Sequence, residues 1–319
     1  VDVGLALPQY DYAPPGAPPL AWETVSTWAT AAERLGFASL WLADHLLLSV
    51  AKYGGSDRRY EGFEPLVTLG GLACLTTTVR LGILVACCQL RPPAVLAKQL
   101  AGLDVISGGR LVAGLGAGWF EPDFSAAGVA FHPIGRRMYE LSEAVATVRQ
   151  VWAGVEGAAP CLPPPVQRPG PPLWIGGWGD RLLAVAARHG DGWNTAWRWT
   201  PAAYRERLDQ LDRACAAIGR DPATITRSVG LYTLVGEDEA DLGSRFERLR
   251  ALTPPGVLDG VSLKEWRAGR LVGSVEEVRD QLGRWEAMGV DDLIIGLGAV
   301  PFHSTTSDDL ELVASAMHI

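Results

Sequence analysis

Short apolar runs alternate along the chain with longer stretches whose apolar residues recur at helical spacing. The runs Val3–Leu7, Ser39–Leu42, Arg80–Ala86, Arg110–Leu115, Leu173–Ile175, Gly192–Thr195, Ser228–Val235 and Asp292–Ile295 predict eight strands. Between them, Trp22, Val25, Ala29, Ala32 and Leu35 share one helix face that Gly36 closes. Pro65–Thr77, Pro93–Ile106, and the sets Met138–Trp152, Tyr204–Ile218, Val275–Met288 and Leu310–Met317 predict further helices. The strands are apolar on both faces, as in a parallel sheet covered by helices. Strand–helix alternation repeated eight times predicts an α/β (β/α)8 TIM barrel, one domain over residues 1–319. An excursion at 236–273, between strands seven and eight, is either a lid or a surface loop. A doubly wound open sheet is the alternative, weakened because no GxGxxG turn follows the first strand. Loops are expected at Pro14, Pro15, Pro18 and Pro19, at Gly54–Arg59, and at the Pro-rich 160–172.

In such a barrel, chemistry gathers at the C-terminal strand ends. Those ends carry Gln9 and Tyr10, Asp44 and His45, Cys87–Gln89, Gly116 and Gly118 before Trp119, Gly176–Gly179, and Asn194–Thr195. Gly116 and Gly118 suggest close approach of something flat, or a tight strand exit. Gly176, Gly177, Trp178 and Gly179 open a helix and form a candidate anion cradle, or a turn that packs helix on strand. His45 suits a proton donor, a hydrogen-bond donor to a cofactor, or a satisfied core histidine. The other histidines are read as structural or solvated. Trp41, Trp119, Trp178, Trp193, Trp197 and Trp199 lie near strand ends, where several would suit a planar ligand. Arg58, Arg59 and Arg91 form either a basic rim for an anionic tail or ordinary solvated charge.

Composition narrows this. A net charge of −8 over 319 residues argues against a nucleic-acid partner. The only lysines are Lys52, Lys98 and Lys264, none at a strand end, which argues against Schiff-base chemistry. There is no GxSxG elbow, and no histidine or cysteine spacing suited to a metal. Five cysteines without a CxxC pair fit free thiols. With no leader-like run and no apolar stretch of bilayer length, the expectation is a cytoplasmic protein without a membrane partner. Read this far, the residues describe a barrel for a phosphate-bearing planar ligand.

The segments Trp41–His45, Leu81–Gly82, Pro93–Ala97, Gly108–Leu111, Gly116–Trp119, Pro172–Gly177, Ala186–Asn194 and Leu271–Val278, in this order, resemble the luciferase-like oxidoreductases. Within that family the chain is similar to the branch using the deazaflavin coenzyme F420. The resemblance implies hydride transfer between F420 and a small organic substrate, with His45 as the catalytic residue and Asp44 beside it. It implies a non-prolyl cis peptide near Leu84–Val85 against the cofactor ring, and a phosphate end at Gly176–Gly179 and Thr195. The substrate pocket is then expected from Gln9, Trp119, Trp197 and Arg198. Trp119 stands where the sugar-phosphate dehydrogenase branch has an acid, and Arg198 where it has a phosphate-binding lysine; both depart from a sugar-phosphate site. The alternatives are an FMN-dependent monooxygenase, with a flavin reductase as partner, and a non-catalytic binding barrel. The resemblance also implies a homodimer.

Overall fold

The computed structural model describes residues 1–13, 18–303 and 305–318; Pro14 and Pro15 of the expected proline loop lie outside them. The strands are β1 (Asp2–Ala6), β2 (Ser39–Leu42), β3 (Leu47–Ser49), β4 (Arg59–Glu61), β5 (Arg80–Cys87), β6 (Leu111–Gly116), β7 (Leu173–Gly176), β8 (Gly192–Trp197), β9 (Thr226–Gly236), β10 (Leu271–Ser274) and β11 (Asp292–Gly296). The helices are α1 (Trp22–Leu35), α2 (Pro65–Leu75), α3 (Pro93–Ile106), α4 (Glu121–Ala126), α5 (Ile134–Ala153), α6 (Asp180–His189), α7 (Pro201–Ala216), α8 (Glu239–Leu252), α9 (Leu263–Trp266), α10 (Val275–Ala287) and α11 (Asp309–Met317).

Strands β1, β2, β5, β6, β7, β8, β9 and β11 pair in parallel in that order, and β11 returns to β1, closing the (β/α)8 barrel. Register is explicit at the seam, where Val3 pairs with Leu293 and Leu5 with Ile295. Alternation sorts the side chains into two layers. Leu40 and Leu42, Leu173 and Ile175, and Leu293 and Ile295 join the outer core under the helices. Trp41, Trp174 and Ile294, between them in sequence, belong to the inner cluster. Trp41 and Trp174 stack at 5.0 Å and fill the barrel. Small neighbours make this possible: a Cβ on Gly82 would lie 2.2 Å from the Trp41 ring, and one on Gly192 2.4 Å from Trp174. Trp41, Trp174 and the fully buried Trp193 therefore serve packing; the expectation that the strand-end tryptophans face a ligand fails for Trp41 and Trp193 because their strand register turns the first inward and the second under α7.

Three elements were not anticipated. The segment after His45, with the polar Gly54–Arg59 loop inside it, folds back as an antiparallel hairpin, β3 with β4. Helix α4 follows Trp119 directly. The 236–273 segment is largely regular, holding α8, α9 and the start of β10. β10 pairs with the far half of the long β9, Leu271 opposite Thr233 and Ser274 opposite Gly236.

Candidate active site

The C-terminal ends of β2, β5, β6, β7 and β8 open onto one cavity of about 770 Å³. Asp44, His45, Leu84, Val85, Gly116, Gly118, Trp119, Gly176–Gly179, Thr195 and Trp197 all line it. The Leu84–Val85 peptide is cis, at the expected position, and Ala196–Trp197 is a second cis bond. β5 breaks register against β6 between Ile83 and Ala86, over that bond. Val85 occupies the space between two glycines. A Cβ on Gly116 would come 2.5 Å from Val85 Cγ2, and one on Gly176 2.4 Å from Cγ1. The room those glycines create is thus taken by Val85, which in turn faces the cavity. Gly118, at φ +65°, turns the chain so that Phe124 and Cys87 pack against it.

His45 leaves the end of β2 and is held by a residue of α4. Its Nδ1 lies 2.5 Å from Asp123 Oδ2 on α4. The other oxygen of Asp123 accepts the N–H groups of Leu46 and Leu47 at 3.0 and 3.2 Å. Asp123 is buried, while the imidazole remains open to the cavity. The ring meets Trp119 edge-on, centroids 5.5 Å apart, and Lys52 Nζ lies 4.2 Å from the Trp119 ring on its other contact. Arg137 of α5 donates to the carbonyls of Ala117 and Gly118, fixing the loop that carries Trp119. Asp123 was missed in the sequence because nothing in its spacing links it to His45; a carboxylate in the first turn of a helix reads as dipole compensation.

Asp44 also lines the cavity, but its carboxylate is occupied. Arg91 grips it with two bonds, 2.5 and 2.9 Å, and the Cys87 N–H donates at 2.9 Å. Arg91 also reaches Glu64, whose carboxylate caps α2. Arg91 is therefore an internal clamp rather than a rim charge. Arg58 stacks over Tyr60, and neither it nor Arg59 lines the cavity.

The part of the wall after β7 and on β8 has the features of an anion cradle. Gly179 caps α6 with no side-chain bond, and open space lies beyond its α-carbon. The Gly177 carbonyl is turned away, accepting from Trp193 Nε1 at 2.7 Å. Thr195 Oγ is buried at the cavity wall with no partner. An unpartnered hydroxyl beside free helix N–H groups fits a ligand oxygen. Trp178 and Arg181 flank this end.

Two expected pocket residues lie elsewhere. Gln9 is fully buried: its amide donates to the Ala43 and Phe63 carbonyls and accepts from the Ala43 N–H. With its polar atoms spent on pinning β1 to the end of β2, it does not line the cavity. Arg198 and Trp199 line an adjoining cavity of about 920 Å³ formed with residues 256–261, Tyr232, Trp266 and Arg270. Trp197 and Lys52 stand on the wall common to both cavities. Burial pushes the Cys87 thiol up to about 11 and Cys88 higher still, so neither is a nucleophile at neutral pH. Among the described residues no group of three or more His, Cys, Asp or Glu could hold a metal, and no helix is long and apolar enough to cross a membrane.

Residues 2–292 match the family described as luciferase-like monooxygenase, and the chain belongs to that family. It is 31% identical over 239 residues to a phthiodiolone/phenolphthiodiolone dimycocerosates ketoreductase of Mycobacterium sp. (strain JLS), covering 67% of this chain and 62% of that one. The match thus spans less than two thirds of that relative's length. It is 28% identical over 305 residues to an F420-dependent hydroxymycolic acid dehydrogenase of Mycobacterium tuberculosis (strain ATCC 25618 / H37Rv), covering 88% of this chain and 78% of that one. Two solved structures share the fold over almost the whole of both chains. The monooxygenase RslO1 from Streptomyces bottropensis aligns at TM-score 0.76 and 22% identity, covering 100% and 99%. An F420-dependent secondary alcohol dehydrogenase in complex with an F420-acetone adduct aligns at TM-score 0.77 and 18% identity, covering 99% and 97%.

Proposed function

We propose that the chain is an oxidoreductase that transfers a hydride between coenzyme F420 and a small organic substrate of the alcohol–ketone class. The observation that carries this is the His45–Asp123 pair, set on the wall of a cavity that also offers an anion cradle. The named ketoreductase and dehydrogenase relatives support the substrate class and the cofactor. When bound, F420 supplies the two-electron centre that gives or takes hydride. Gly177–Arg181 and Thr195 would hold its phosphate end, and Val85 with Asp44 would face its ring. His45 would take the hydroxyl proton during alcohol oxidation and return it during ketone reduction. Trp119, exposed beside His45, would form the substrate wall and help exclude water.

We read the chain as one barrel domain working in the cytoplasm, which its five free cysteines support. A homodimer is supported by the exposed Val67 on α2 and Val95 and Ile106 on the adjacent α3.

Titrating the protein with F420 and following its fluorescence should give saturable binding. Reduced F420 should then be oxidised only when a ketone is added, without oxygen uptake. Binding of FMN alone, with oxygen uptake driven by a flavin reductase, would replace this reading with the monooxygenase. Absence of turnover with either cofactor would leave a binding barrel.

Trp119→Ala should raise the substrate KM about tenfold, the loss of roughly 1.4 kcal/mol of aromatic contact. F420 affinity should stay within about threefold, because the cradle is built by Gly176–Gly179 and Thr195 and not by the loop that carries Trp119. Equal weakening of both would place Trp119 against the cofactor instead.

A further inference from the structure

The contacts of His45 carry a second conclusion, about proton control. Asp123 is acceptor-only when ionised, and both of its oxygens are engaged: one with the Leu46 and Leu47 amides, one with His45 Nδ1. The N–H of the neutral imidazole must then sit on Nδ1, which leaves Nε2 with the free lone pair. We infer that Asp123 is a positioning residue that sets the tautomer of His45, so that Nε2 meets the substrate as a base in alcohol oxidation and as an acid in ketone reduction. The consequence for turnover rests on the F420 reading above; the tautomer itself does not.

The placement gives Asp123 a second task. It lies on α4, immediately beyond the loop that carries Trp119. Its carboxylate reaches back to the first residues after β2, so one side chain ties the substrate wall to the proton carrier. Any movement of Trp119 that drags α4 would alter the His45 contact. Arg137, bonded to the carbonyls of Ala117 and Gly118, holds the same loop from outside.

Other charged and titratable groups pack around the pair. Asp44, adjacent in sequence, has its charge matched by Arg91 from the loop between β5 and α3. Tyr10, after β1, is buried, and burial with the Asp123 and Asp44 charges pushes its phenol well above the usual value; it stays neutral. Lys52, from the hairpin, faces Trp119 rather than the imidazole. Asp123 is thus the ionisable group that bonds the ring directly.

Asp123→Asn isolates the effect. Asparagine keeps an oxygen for the Leu46 and Leu47 amides but presents an N–H donor to Nδ1. The imidazole proton would then move to Nε2, and the base would be lost. Nitrogen-15 NMR of histidine-labelled, cofactor-free protein reads this directly. His45→Ala assigns the signal among the five histidines. The expected result is an Nδ1-protonated neutral ring in the wild type and an Nε2-protonated ring in Asp123→Asn.

Kinetically, kcat for alcohol oxidation should fall about a hundredfold or more in Asp123→Asn. KM and F420 affinity should stay within about threefold. Asp123→Glu, which retains the carboxylate, should recover part of kcat. An Nε2-protonated His45 in the wild type overturns the inference without any variant. An Asp123→Asn protein with unchanged tautomer and unchanged kcat overturns it as well. The predicted tautomers in a protein that never turns over F420 would instead count against the proposed function alone.

Discussion

His45→Ala is expected to lower kcat by about a hundred- to ten-thousandfold, the usual worth of a placed acid–base group, with F420 affinity changed no more than about threefold. Hydride transfer to or from a carbonyl carbon leaves a proton to be moved on oxygen. Among the groups lining the cavity, Cys87 is held neutral by burial, and Asp44 is bound by Arg91 and the Cys87 amide. His45 is the lining side chain with a ring nitrogen engaged and the other left for substrate. Steady-state kinetics with fluorescence titration separates the two effects. Added imidazole should restore part of the alanine variant's rate by entering the vacated space. A variant within fivefold of wild type would assign the proton to water. A parallel loss of F420 binding would make His45 a cofactor contact.

Arg91→Ala should be the most damaging single change to stability. Asp44 is buried, and Arg91 supplies two of its three hydrogen bonds. Removing one partner of a buried, well-bonded pair typically costs about 3–5 kcal/mol, because the remaining charge stays desolvated. In a chain of this size that is a fall of about 5–10 °C in melting temperature. Arg91→Lys should lie between, since one ammonium cannot reproduce the two-pronged grip. Replacing Asp44 and Arg91 together by leucine should recover much of the loss, because no buried charge is then left unpaired; Glu64 also loses Arg91 but stays in contact with water. Scanning calorimetry on the three variants tests this. A fall of less than about 2 °C for Arg91→Ala would mean that water reaches Asp44 and replaces the guanidinium.

Much of the architecture was written locally. Apolar runs marked every barrel strand, since a strand covered on both faces must be apolar throughout. Helix faces such as Leu141, Val145, Val148 and Trp152 were equally plain. Short elements were not. β3 and β4 are only three residues each, too short for a period to show, and they are defined by pairing with each other and by burying Leu48 and Tyr60 in the inner cluster; β10 gains its identity from β9 rather than from its own four residues. α4 begins with Glu121-Pro122, which could as well close a loop.

The site divides in the same way. The sequence by itself determined which strand ends carry chemistry: Asp44–His45, the Gly116–Trp119 loop and the Gly176–Gly179 turn all reach one cavity because a parallel barrel brings its C-terminal strand ends together. It also marked the peptide at Leu84–Val85, through the resemblance its neighbours carry. Only the tertiary structure decided what those residues touch. Gln9 and Tyr10 follow β1, yet neither lines the cavity: both are buried, and Gln9 is used up bonding the backbone of Ala43 and Phe63. The six strand-end tryptophans separate by register into barrel filling at Trp41, outer packing at Trp193, one in the adjoining cavity at Trp199, and cavity wall at Trp119, Trp178 and Trp197. Gly116 and Gly176 give way to Val85. Asp123, seventy-eight positions from His45, meets it at 2.5 Å. Periodicity reports burial, which is a property of a segment; a hydrogen-bond partner is a property of two segments, and their meeting exists only once the barrel has closed.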